Sequence, residues 1–142
     1  MSGRLPPPRS QCPIACALDV LGDRWTLVVL RDLIFLHKQR YQELLDGNEG
    51  IATNILASRL KLLEAAGLVT RKADPEAPRR ALYAPTAKAL DLLPVMIELM
   101  RWGTRHNAHT YVPPQFMRKI KGDAAGFIAE LRRSHGVAGL PS

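Results

Sequence analysis

Residues 51–85 read IATNILASRLKLLEAAGLVTRKADPEAPRRALYAP, and the periodicity of this stretch changes halfway along it. As far as Ala66, apolar residues recur at three- and four-residue spacing. This predicts a helix over Thr53–Ala66 with Leu56, Leu60 and Leu63 on one side. Gly67 then supplies a helix stop. Leu68–Lys72 and Ala81–Pro85 have the composition of two short strands, and DPEAPRR between them, with two prolines, reads as the hairpin loop.

The flanks extend this pattern. Upstream, Cys12 stands at a cap position before Pro13, a favoured first helical residue, and Ile14, Ala17, Leu18 and Leu21 repeat helically until Gly22. Asp23 caps a second helix whose apolar residues Trp25, Val28, Val29, Leu33 and Leu36 cover most of its sides, as expected of a central core helix. A third helix covers about Tyr41–Asp46, and GNEG at 47–50 is a turn. Downstream, Thr86 caps a long helix from Ala87 to about Asn107, to be bent or split near Pro94. VPP at 112–114 is a linker. A short helix then ends at Gly122, and Asp123 caps a last one bearing Phe127, Ile128 and Leu131. The triple proline near the start makes residues 1–11 a flexible arm. The expected fold is mainly α with a small two-stranded β wing, the element order of a winged helix-turn-helix. Residues 12–108 form the domain and 109–142 a C-terminal helical extension.

Of 142 residues, 20 are Lys or Arg against 13 Asp or Glu, a net charge of +7. Such a balance points to an anionic partner, most often nucleic acid. Aromatics make up only 6%, which weighs against the stacking surfaces of single-strand binders. The charge is unevenly placed: residues 1–52 are neutral, 53–88 carry +4, 89–100 carry −2 and 101–142 carry +5. No apolar run is long enough to span a bilayer and no signal-peptide core precedes the domain, so a cytoplasmic protein without a membrane partner is expected.

Advancing about 100° per residue along the fourth helix puts Asn54, Ser58 and Lys61 on the side opposite Leu56, Leu60 and Leu63. Ala57 and Ala65 flank this polar stripe with little bulk. Amide and ammonium groups suit base edges, and a hydroxyl suits bases or phosphate. Arg59 sits on the flank, within reach of phosphate or of a neighbouring carboxylate. The second helix of a helix-turn-helix enters the major groove, which favours DNA reading over a merely solvated face. Arg71, Lys72, Arg79 and Arg80 on the hairpin suit phosphates or a minor groove. The bland alternative is a solubilising hairpin partly neutralised by Asp74 and Glu76. Arg40, beside Tyr41, is a candidate phosphate clamp.

These residues carry a resemblance to the HxlR-type family of bacterial winged-helix transcriptional regulators. It begins at Cys12-Pro13, runs through Leu18-Asp19-Val20-Leu21-Gly22-Asp23-Arg24-Trp25, and continues with Leu30-Arg31-Asp32-Leu33 and Arg40-Tyr41 before Glu43-Leu44. Gly50-Ile51, Arg59-Leu60, Leu63-Glu64 and Gly67-Leu68-Val69 follow, then Pro78, Tyr83, Thr86, Pro94-Val95 and Trp102-Gly103. The resemblance implies a homodimer on a pseudo-palindromic operator of double-stranded DNA, with Ile14–Leu21 and Ala87–Trp102 as flanking dimerisation helices. It leaves room for a small-molecule effector of unspecified chemistry. Where the family commonly caps the recognition helix with a hydroxyl residue, this chain has Ala52, and Thr53 is the candidate replacement. The family also implies redox sensing at Cys12 in some members, and a thiol at a helix N-cap meets the positive end of the dipole. The alternative is that Cys12 and Cys16 are small residues in a dimer seam. Residues 104–142 pass beyond the family core, and three roles stay open for them: packing on the dimer, widening the DNA footprint or forming an effector site.

Other chemistry finds little footing. His106 and His109 lack a third ligand and read as surface residues, so no metal or cofactor is expected. There is no Gly-rich phosphate loop, nucleophile elbow or His-Glu metal pair, and Cys12 has no specific histidine partner, so an enzyme is not expected. The competing function is a winged helix that serves protein or RNA contact without sequence-specific DNA reading.

Overall fold

The computed structural model describes residues 10–47 and 49–137; all but the last two residues of the expected N-terminal arm lie outside them. The chain divides into two compact units, one ending at Ala89 and the other beginning at Leu90.

The first unit is built around α2 (Thr26–Ile34), which follows α1 (Pro13–Leu21). Asp23 closes the gap between them. Its Oδ1 accepts the backbone N–H groups of Trp25 and Thr26 at 2.8 and 3.1 Å, and its Oδ2 accepts the Thr26 hydroxyl. Burial pushes this carboxyl up, but those hydrogen bonds and the Arg59 charge together hold it below the usual value. Val29, Leu30, Leu33, Ile34 and Phe35 are buried, as the apolar composition of this helix demands. α1 differs: none of its residues is buried, and Ile14 and Leu18 are 71% and 55% exposed.

α3 (Tyr41–Leu45) and α4 (Thr53–Ala65) form the helix-turn-helix. Leu44 of α3 and Leu56, Leu60 and Leu63 of α4 are buried, as their spacing requires. The end of α4 follows from Gly67, whose φ of +76° only glycine adopts at low cost. Its N–H reaches the Glu64 carbonyl at 3.1 Å while that of Leu68 reaches Leu63 at 2.8 Å, and Leu63 and Leu68 are both buried. At the start of α4, Ala52 is the cap residue and no side chain caps the helix, so Thr53 does not take over that role.

The wing departs from its expected outline. β1 (Val69–Asp74) pairs antiparallel with β2 (Ala77–Pro85), leaving only Pro75 and Glu76 as the turn. The Asp74 carboxylate accepts the Glu76 N–H at 3.0 Å, which tightens the turn and lets pairing run past Lys72. The register jumps from Ala73↔Ala81 to Asp74↔Ala77, so Pro78, Arg79 and Arg80 have no partner on β1. Proline, which cannot donate to a ladder, fits such a bulge. After the wing, Thr86 donates to the Gly67 carbonyl at 2.6 Å and accepts the Ala89 N–H at 3.3 Å, capping α5 (Ala87–Leu90).

In the second unit, the expected long helix is split. α5 stops at Leu90, and α6 (Leu93–His106) begins with Pro94 in its first turn, where a missing N–H costs nothing. α7 (Pro114–Ser134) is one helix interrupted at Asp123, whose φ of −155° and ψ of 77° are non-helical. Asp123 accepts the Gly126 N–H at 2.9 Å and so caps the second half, as its position predicts. The Ile120 carbonyl just before the break takes a guanidinium hydrogen bond from Arg101 at 3.0 Å. Phe116 and Phe127 stack at 5.8 Å, and Lys119 lies over Phe127 and pairs with Glu130 at 2.9 Å. Arg132, 3% exposed, pairs with Asp91 at 3.1 Å. On α6, Val95, Leu99 and Trp102 are 47%, 50% and 66% exposed, and their spacing sets them on one stripe. No helix among the described residues is long and apolar enough to cross a membrane.

Candidate nucleic-acid interface

Burial of Leu56, Leu60 and Leu63 turns the opposite side of α4 outward, and Thr53, Asn54, Ser58 and Lys61 are all exposed. Ala57 is half-buried between them and the wing. Asn54, Ser58 and Lys61 thus present an amide, a hydroxyl and an ammonium along one helix. The uncapped first turn adds backbone N–H groups that lack a side-chain acceptor, an arrangement that accepts phosphate oxygens.

Tyr41 fixes this helix relative to α3. Its hydroxyl donates to the Thr53 carbonyl at 2.8 Å. Its ring borders two clefts of the first unit. One, of about 580 Å³, is lined by Tyr41, Ala57, Lys61, Glu64, Arg71 and Tyr83. The other, of about 400 Å³, is lined by Arg40, Tyr41, Gln42, Arg71, Arg80 and Tyr83, with Ala81. The fold therefore brings Lys61 of α4 and Arg71 of β1 to one cleft, and Arg71 and Arg80 to the next. Arg71, Lys72, Arg79 and Arg80 are exposed, and none makes an ion pair among the described residues. Arg79 and Arg80 belong to the bulge, off the β1 ladder.

Two of the expected contact residues are otherwise engaged. Arg59 is half-buried, with its Nε 3.5 Å from Asp23, so it faces the turn before α2 and takes the carboxylate alternative open to it in the sequence. Arg40 donates from Nε to Asp74 Oδ2 at 3.0 Å. Tyr83, which lines both clefts, enters the sequence reading only among the residues that carry the family resemblance, and nothing in its local pattern marks it as part of the site. Cys12 is exposed and Cys16 half-buried; both are free thiols, and Cys16 Sγ donates to the Ser10 carbonyl at 3.0 Å. Among the described residues no group of three or more His, Cys, Asp or Glu side chains is gathered to hold a metal ion.

A helix with an exposed polar face, following a short helix and beside a cationic two-stranded wing, defines a winged helix-turn-helix DNA-binding module. Residues 20–111 match the model of the HxlR-like helix-turn-helix family, and the chain belongs to that family of transcriptional regulators. It is 38% identical over 93 residues to an HTH-type transcriptional regulator of Synechocystis, covering 66% of this chain and 68% of that one. An HTH-type transcriptional regulator of Halalkalibacterium halodurans is 37% identical over 94 residues, with 66% and 83% covered. Among solved structures, the reduced form of the transcriptional regulator YodB from Bacillus subtilis superposes with a TM-score of 0.57 at 28% identity, covering 72% of this chain and all of that one.

Proposed function

We propose that this regulator binds a pseudo-palindromic operator as a homodimer, each α4 reading a major groove and each wing gripping the backbone beside it. Asn54, Ser58 and Lys61 contact base edges; Thr53 and Tyr41 orient the start of α4, and Ala57 permits close approach. Arg71, Lys72, Arg79 and Arg80 contact phosphate or the minor groove. The observation that carries this reading is the meeting of Lys61 of α4 with Arg71 of the wing in one cleft beside Tyr41, and of Arg71 with Arg80 in the next, with Asn54 and Ser58 exposed on the same helix. The exposed apolar stripes of α1 (Ile14, Leu18) and α6 (Val95, Leu99, Trp102) support dimerisation, since apolar side chains grouped on one helix face mark contact surfaces. Two-fold symmetry then sets the reading helices about 34 Å apart, one turn of duplex. Acting on the chromosome places the protein in the cytoplasm, and no reaction is assigned to it.

Asn54→Ala tests the base-reading half. Against a randomised duplex library it is expected to lose about 1–3 kcal/mol of discrimination at one symmetric position, the worth of a bidentate amide contact. The salt dependence of binding stays at the parental slope because no phosphate contact is lost. Unchanged preference at every position would remove Asn54 from the reading face.

Thiol oxidation is the regulatory input this reading favours. Cys12 is exposed at the N-cap of α1, a helix whose apolar stripe is also exposed, so the Cys12 thiols of two subunits lie on elements that meet in the proposed dimer. The comparison protein YodB has been solved both reduced and after diamide treatment, the latter matching with a TM-score of 0.53 at 29% identity. Diamide, taking up two electrons and two protons, links two such thiols as a disulfide. Treatment is expected to change operator affinity of the parent and produce a dimer on non-reducing gels, with Cys12→Ser insensitive in both assays. An equal response from Cys12→Ser would end the idea.

A further inference from the structure

Arg40 is the residue of the interface whose surroundings least suit a phosphate. Its Nε donates to Asp74 at 3.0 Å and its Nη2 lies 3.5 Å from the Glu76 carboxylate, which is itself highly exposed. An incoming phosphate would meet that second negative charge. Asp74 is 2% exposed, an unusual degree of burial for a carboxylate, and it satisfies its other oxygen with the Glu76 N–H at 3.0 Å. These contacts converge on the point where the strand register jumps and releases Pro78, Arg79 and Arg80 from the ladder.

The backbone beside Arg40 is docked on the same element. The Tyr83 N–H donates to the Gln39 carbonyl at 2.7 Å, and Arg40 forms a bridge with Leu82, so the segment entering α3 lies along the free edge of β2. One residue further on, Tyr41 reaches the Thr53 carbonyl. A continuous set of contacts therefore runs from the first turn of α4, through Tyr41 and Arg40, to Asp74 at the wing tip, joining residues that lie 34 positions apart in the chain.

We infer that Arg40 is a positioning residue and not a phosphate ligand: its ion pair with Asp74 sets the bulged wing tip, and with it Arg79 and Arg80, against α4. This rests on the reading that α4 and the wing grip DNA together. The two roles predict opposite signs for one substitution. Asp74→Ala removes a negative charge from the interface and frees Arg40. A phosphate clamp would then bind DNA more tightly, whereas a positioning pair predicts binding weaker by about tenfold despite the added positive charge.

The experiment measures operator binding of the full chain by fluorescence anisotropy for the parent, Asp74→Ala, Arg40→Ala and Arg40→Gln, with folding of each followed by circular dichroism. Glutamine keeps an N–H donor for Asp74 without the cation. The positioning role predicts Arg40→Gln within about threefold of the parent and Arg40→Ala about tenfold weaker. A clamp needs the charge and predicts both equally weak. Asp74→Ala binding as tightly as the parent or more tightly overturns the inference, and so does equal weakness of the glutamine and alanine variants. The Arg40 pair decides the matter even where Asp74→Ala does not fold. Absence of sequence-specific binding by the parent would strike the proposed function instead, and is read separately in the parental arm.

Discussion

The chain carrying Arg79→Glu and Arg80→Glu is expected to bind duplex DNA about a thousandfold more weakly near physiological salt, and equally so for operator and unrelated sequences. Both side chains are exposed, stand in the bulge of β2 and make no ion pair among the described residues; Arg80 acts on Asp74 only through its nearby charge, and both can meet an external anion. A dimer places four such cations on the backbone. Each phosphate contact contributes about 0.9 to the slope of log affinity against log salt, so the loss lowers the slope by about 3.6. Filter binding over 50–200 mM salt with two unrelated duplexes reads both effects. A loss confined to the operator would make these arginines base readers, and no loss would leave the wing a solubilising hairpin.

Trp102→Glu is expected to dissociate the proposed dimer and with it the proposed operator complex. Trp102 is 66% exposed on the same α6 stripe as Val95 and Leu99, and a large aromatic in that position is the usual anchor of an interface. A carboxylate placed there must be desolvated when that face is covered. Light scattering should give the mass of one chain where the parent gives two. Operator affinity should fall by about 10²–10⁴, the avidity lost when two half-sites are no longer bound by one particle. A dimer of unaltered affinity would move the interface away from α6.

The helices were legible in the sequence because their determinants are local. Leu56, Leu60 and Leu63 define the buried side of α4 by spacing alone, and Gly67 ends it through a backbone conformation that other residues avoid. Pro94 splits the helix after the wing because its ring tolerates only a first turn. The outward stripe of Asn54, Ser58 and Lys61 follows from the same periodicity. The wing was less legible. Its strands outrun their composition because Asp74 folds back on Glu76 and is held by Arg40, a residue 34 positions earlier. Nothing near Asp74 announces that partner, so Arg40 reads as a free cation and Asp74 as a diluting charge. The position of Arg59 in the sequence is compatible with phosphate or carboxylate, and folding sets it against Asp23. Thr53 read as a replacement cap, yet the chain starts α4 without one.

The charge pattern gains meaning from this geometry. Of the +4 of residues 53–88, all but the charge of Lys88 on α5 belongs to α4 and the wing, and Lys61, Arg71 and Arg80 line the clefts around Tyr41. In the second unit part of the +5 of residues 101–142 is offset by the acids of residues 89–100: Arg132 pairs with Asp91, and Arg101 with Glu98 as well as the Ile120 carbonyl. Total charge therefore overstates what residues 101–142 offer to an outside anion.

Selection of bound fragments from the organism's own genomic DNA decides whether the exposed face of α4 and the wing read one operator as a symmetric pair. A symmetric pair of reading helices should enrich a few fragments strongly, all sharing an inverted repeat whose half-site centres lie about 10 base pairs apart, with enrichment lost on moderate salt increase for all other DNA. Recovery of fragments without a shared motif, or of a motif lacking two-fold symmetry, would contradict it.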